Sequence, residues 1–235
     1  MIKRCRRVFG RRGIDNPPQS RSHDLDFVFA AEVEKYRNHA GSAWIDLWDY
    51  WAPKDKYKIL ETEHIVDTTY RLYVFLVNFG MARGPFVRQI LANDFMVIIQ
   101  ELANLINKYR LFDIELDSAK EVRANADVID GFFDQVYRIN LSHTHRRKAL
   151  FYSKLLLPLW GNIVAFDQNF IKAYRQVFCE SPAKLGWSAM LSSLLDRHEN
   201  DLVDLPDHLK VTCSGHEIPA LRLIDMAYWN YGRQL

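Results

Sequence analysis

Apolar residues along this chain recur at three- and four-residue intervals, and sustained alternation of apolar with polar positions is scarce, so the pattern predicts helices. The first helical run extends from Asp24 to about Asn38, with Phe27, Phe29 and Val33 on its apolar side. Trp44, Trp48 and Trp51 then recur at helical spacing until Pro53, which reads as a core-facing aromatic stripe. Further helices are expected at about Leu60–Phe79, Phe86–Tyr109, Ser118–Ile139, Arg147–Leu157, Asp167–Phe178, Pro182–Arg197 and Ile218–Tyr231. Two glycines and a proline in Phe79-Gly80-Met81-Ala82-Arg83-Gly84-Pro85 break the pattern between the third and fourth runs. There is no internal repeat or low-complexity tract. The expectation is an all-α fold, a single compact multi-helix domain over residues 24–235, in which two interdigitated lobes could leave a cleft between them.

Composition changes this picture little. With 235 residues, 49% hydrophobic and 26% charged, the chain can enclose a large core and does not read as disordered. The formal charge is +2, so a case for nucleic acid has to come from the placement of charge. Lys3, Arg4, Arg6, Arg7, Arg11 and Arg12 precede the first acid, Asp15, and residues 1–23 are expected to form a basic flexible arm. A second basic knot runs from His143 to Lys148. Cys5, Cys179 and Cys213 show neither CxxC pairing nor zinc-ligand spacing, which suits reduced thiols and a cytoplasmic protein. No apolar run approaches the roughly 20 residues that span a bilayer. His143 and His145 alone are too few to imply a metal site.

Candidate chemistry concentrates in one stretch. Lys154 lies among Leu150, Phe151, Leu155, Leu156 and Leu157, where an ammonium must either reach solvent or serve a purpose inside. Trp160-Gly161-Asn162 breaks the run, and Asp167 opens the next helical pattern. There it can cap free backbone amides, with the helix dipole favouring its ionised form. It can also meet Lys154 in a cleft between the two helices.

The run from Ser153 to Tyr174, SKLLLPLWGNIVAFDQNFIKAY, resembles the catalytic segment of the helix-hairpin-helix DNA glycosylase superfamily over about residues 145–178. In that superfamily a lysine opens one helix and a short apolar stretch carries an essential acid into the next. Ile163 to Phe166 stands in the place of that stretch, ahead of Asp167. One departure concerns the DNA-gripping hairpin: the comparable letters, Leu157-Pro158-Leu159-Trp160-Gly161, stand immediately before the acid, so the usual hairpin is missing or replaced. The chain also lacks the cysteines of an iron–sulfur cluster.

The resemblance implies a DNA glycosylase that flips out and excises a modified base, an example being glucosylated hydroxymethylcytosine in phage DNA. Asp167 would stabilise an oxocarbenium-like sugar and orient water, and Lys154 would be the candidate amine for lyase chemistry. His143, His145, Arg146, Arg147, Lys148, Arg83 and Lys172 would grip the backbone of double-stranded DNA. Trp160, Phe79 and Met81 would border the base pocket. No cofactor, metal or membrane is expected. The competing reading is a non-catalytic α-helical module that binds nucleic acid or protein, with Asp167 serving as a cap.

Overall fold

The computed structural model describes residues 27–39, 42–78, 92–139 and 148–235. The described residues form α-helices and short 3-10 turns joined by loops, so the fold is all-α. In chain order the helices are α1 (Phe29–His39), α2 (Ser42–Trp51), α3 (Ile65–Asn78), α4 (Ala92–Tyr109), α5 (Ala119–Ala124), α6 (Ala126–Val136), α7 (Lys148–Leu159), α8 (Gln168–Phe178), α9 (Trp187–Asp204), α10 (Asp207–Lys210) and α11 (Ala220–Gln234). The turn carrying Phe79, Met81 and Arg83, and the basic stretch from His143 to Arg147, lie outside the described residues, as does the arm over 1–23.

Local chemistry explains where several elements differ from the periodic pattern. The run expected over 118–139 is two helices. Ser118 and Glu121 form a reciprocal capping box that starts α5. The Asn125 side chain then donates to the Glu121 carbonyl at 2.9 Å, ending α5 and leaving α6 to begin afresh. The run expected from Pro182 begins instead as a 3-10 turn over Pro182–Lys184, and α9 starts only after Gly186.

The tryptophan stripe of α2 faces the core, as its spacing predicts. Trp44 and Trp48 stack at 5.2 Å, and each indole N–H donates at 3.1 Å to a distant carbonyl, Leu157 for the first and Glu217 for the second. These bonds fix α2 against the end of α7 and against the turn ahead of α11.

Helix α11 packs on α1 and α8 and is buried without interruption from Leu221 to Tyr228. Helix α9 also packs on it, kinked at His198, whose φ of −113° and ψ of 16° leave the helical region. The His198 ring stacks on Phe29, and its Nε2 and Nδ1 lie 2.7 Å from the Tyr228 hydroxyl and from Asp201 Oδ2. Tyr228, whose phenol pKa is pushed far up by burial, donates to Nε2, which leaves the Nδ1–H to face Asp201. Burial also holds the His198 pKa below its ordinary value of 6.5, against the pull of Asp201. A depressed histidine pKa contributes stability that is complete above the unfolded value and is lost as pH falls through the folded one. Denaturation midpoints are therefore expected to fall on acidification below about pH 6.5, and His198→Gln should flatten that dependence. Parallel pH profiles for the two proteins would show that His198 does not titrate in this way.

Candidate functional site

The site starts from a helix with no polar face. From Phe151 to Leu159 every residue of α7 is buried, so that run has no solvated face. Pro158 lies inside the last turn and has no N–H to donate. The helix end is completed from elsewhere: Leu156 accepts from the Trp160 and Gly161 amides, and Leu157 accepts from the Trp44 indole. Gly161 then turns the chain with φ of +76°, and a Cβ there would lie 2.7 Å from Pro219 and 2.9 Å from Trp48. Only glycine fits both that backbone and that space.

The chain next passes through Ile163, Val164 and Ala165, all buried, and its amides are caught in succession. The Ala165 N–H donates to Asp225 Oδ1 at 2.6 Å and the Phe166 N–H to Ser153 Oγ at 2.9 Å. The Asp167 N–H donates to the Ala165 carbonyl at 2.8 Å. Asp167 arrives at the N-cap of α8, where Oδ1 accepts from the Asn169 and Phe170 amides, both at 3.0 Å. Its other oxygen, Oδ2, lies 3.6 Å from Lys154 Nζ. The capping role and the meeting with Lys154 are both made, one by each carboxylate oxygen.

A second ion pair stands behind the first. Arg222 Nη1 donates to Asp225 Oδ2, Nη2 donates to the Tyr36 hydroxyl at 2.7 Å, and the guanidinium lies over the Trp44 ring at 4.7 Å. Arg222 and Asp225 are buried, whereas the Lys154 and Asp167 side chains keep 8% and 12% of their surface. The outer pair is thus the part of the cluster that touches solvent. Burial lowers the Lys154 pKa, opposed by the charges of Asp167 and Asp225. Burial pushes the Asp225 carboxyl up to about 6, opposed by Arg222 and raised further by Asp167. Further along the α1–α11 seam, buried Glu32 accepts from the side chains of Asn230 and Gln234.

The other residues singled out in the sequence are dispersed. Lys148 donates to the carbonyls of Tyr137 and Ile139, at 2.7 and 2.9 Å, and so closes the chain that follows α6. Lys172 is exposed on α8. Trp160 is buried, and its indole nitrogen has no hydrogen-bond partner among the described residues. His143, His145, Arg146, Arg147, Arg83, Phe79 and Met81 lie outside them. An open cleft of about 500 Å³ lies between α5 and α9, with Ser118, Arg123, Asp196 and Glu199 in its walls; neither Lys154 nor Asp167 lines it. Among the described residues no group of histidine, cysteine, aspartate and glutamate is placed to hold a metal ion, and no helix is long and apolar enough to cross a membrane.

Sequence reasoning missed Ser153, Tyr36, Arg222 and Asp225. A usable signal for the last two was present: an Arg and an Asp three residues apart within Leu221-Arg222-Leu223-Ile224-Asp225-Met226, where apolar residues occupy the intervening and flanking positions. No protein-family model, curated protein or solved structure matches this chain.

Proposed function

We propose that the Lys154–Asp167 pair is the reactive edge of a DNA glycosylase that excises a modified base by cleaving its N-glycosidic bond. The observation that carries the reading is the meeting of Lys154 Nζ and Asp167 Oδ2 at 3.6 Å, across a tight glycine turn between consecutive helices. An amine and a carboxylate so placed are what the resemblance of this segment implies. Water attack at C1′ passes through a sugar bearing positive charge, and a fixed carboxylate stabilises that charge without reorganising. Asp167 is held for this by two amides and by the chain that delivers it. As the C1′–N bond breaks, its electron pair leaves with the base, which takes up a proton; water supplies the new C1′–O bond and gives up a proton. Lys154 accompanies the carboxylate as an ammonium. Deprotonated, its amine is the nucleophile for the lyase variant of the reaction.

A second reading is favoured by a specific observation. Both Asp167 oxygens already have partners, and the pair keeps only about a tenth of its surface, as suits a structural staple in a non-catalytic helical module binding nucleic acid or protein.

Asp167→Asn separates the two. Asparagine is as good an N-cap as aspartate, so α8 should persist while the charge is removed. Duplexes carrying a panel of modified bases, phage DNA included, are incubated with each protein and assayed for alkali-labile abasic sites. The expected result is release of at least one base by the wild type and a loss of about 100-fold or more in the variant, the scale of removing one transition-state stabiliser. Equal activity in both proteins would remove Asp167 from the reaction, and none in either across the panel would favour the binding module.

A further inference from the structure

We infer that Asp225, held by Arg222, is a positioning residue that governs Asp167 and Lys154 together, delivering the first through the Ala165 amide and helping to hold the second as an ammonium. The inference rests on the reading of Lys154 and Asp167 as a functional pair.

The mechanical part follows from a short chain of bonds. Asp225 Oδ1 accepts the Ala165 N–H at 2.6 Å, and the carbonyl of the same Ala165 accepts the Asp167 N–H at 2.8 Å. One residue therefore connects the buried carboxylate to the carboxylate at the surface. Arg222 fixes the other Asp225 oxygen and is itself braced by the Tyr36 hydroxyl. Rotation of Asp225 would leave a buried backbone donor unmet, and that cost holds the acceptor in place.

The electrostatic part concerns four charges in a region with little water. Facing Lys154 on α7 are Asp167 at the start of α8 and Asp225 and Arg222 on α11, and Tyr36 of α1 accepts from Arg222. With Asp225 ionised the two acids balance the two bases. With Asp225 protonated a single acid faces two cations, and the ammonium of Lys154 loses part of its support. The Asp225 carboxyl, raised to about 6, makes that change within reach of ordinary buffers. Ionised Asp225 thereby supports the ammonium of Lys154 beside the Asp167 carboxylate.

The test follows the side chains themselves and needs no substrate. The full chain, labelled with 13C and 15N in lysine and with 13C in aspartate carboxyls, is titrated by NMR; the Lys154 and Asp225 resonances are identified by their loss in Lys154→Met and Asp225→Asn. In the wild type, the Lys154 Cε and Nζ shifts are expected to show an inflection at the pH where Asp225 titrates. In Asp225→Asn, which still offers an oxygen to Ala165, that inflection should vanish and the main Lys154 midpoint should fall by about one pH unit or more. Superimposable Lys154 curves in the two proteins would overturn the inference. Should Asp225→Asn fail to fold, the wild-type Lys154 curve decides alone, absence of any inflection near pH 6 counting against. A purely structural role for Asp225 would not move the Lys154 midpoint, and an inactive outcome in the modified-base panel leaves these curves unaffected.

Discussion

Gly232→Ala is expected to be the most damaging glycine-to-alanine substitution among the described residues, lowering stability by about 3 kcal/mol or more and the melting temperature by roughly 6–12 °C. Gly232 lies in the last turn of α11 against the first turn of α8. A Cβ added there would stand 2.6 Å from the Asn169 carbonyl carbon and closer still to its oxygen. Both partners are backbone, so no rotamer change relieves the clash and the two helices must separate. The Asn169 amide is one of the two that Asp167 Oδ1 holds, so the separation pulls directly on the cap and on its reach to Lys154. Gly215→Ala provides the contrast. Its φ of +84° strains any other residue, but nothing lies within 4 Å of an added Cβ, and the cost should be about 1–2 kcal/mol. Urea and thermal denaturation of both variants measure the difference. A Gly232→Ala protein within 1 kcal/mol of the wild type, a limit of about one third of the expected loss, would mean that α8 and α11 can part cheaply.

Removal of Arg222 ranks next, and its signature is a dependence on pH. In Arg222→Met, Asp225 stays buried without its guanidinium, a situation that typically costs about 3–5 kcal/mol. Part of that loss is independent of pH, because the bond to Tyr36 and the contact with the Trp44 ring disappear at every pH. The remainder follows Asp225. Its folded pKa is raised above the ordinary carboxylate value, so its contribution to stability is present below about pH 4 and is lost as pH rises through about 6. Without Arg222 the folded pKa rises further, the loss continues to higher pH, and the gap between variant and wild type widens from pH 5 to pH 8. Adding Asp225→Asn removes the stranded charge and keeps an acceptor for Ala165. The double variant should therefore be more stable than Arg222→Met at pH 8. Chemical denaturation at the two pH values tests both statements; an equal loss at pH 5 and pH 8, or a double variant less stable than the single, would count against a stranded carboxylate.

Particular residues show what the sequence could and could not reveal. Asp167 was legible because capping is a local affair: an acid ahead of residues 170, 171, 174, 177 and 178 on one helical face marks a helix start whatever surrounds it. The core role of Trp44 and Trp48 was legible for the same reason, their spacing being that of one helix face. The division of 118–139 into α5 and α6 was not, because it depends on a single Asn125 side chain competing for a backbone carbonyl. The inner ion pair escaped for a different reason. Asp225 meets Ala165 across 60 positions and Arg222 meets Tyr36 across 186, and periodicity carries no information at such separations. Polar residues in a helical pattern are read as its wet face, and α11 has none from Leu221 to Tyr228. The meeting of Lys154 with Asp167 lay between these extremes, since the turn at Gly161 confines two neighbouring helices to a few arrangements.

The separations that hide the inner pair also set an order of assembly. Glu32 and Tyr36 are synthesised well before their partners Asn230, Gln234 and Arg222, which belong to α11. Until α11 arrives, the Ala165 amide has no Asp225 to hold it, although Lys154 and Asp167 have long been present. Such long-range closures slow folding, and it is α11 that covers the apolar sides of α1 and α8. The support of the Lys154–Asp167 pair is thus completed by the docking of one helix made some 60 positions after it.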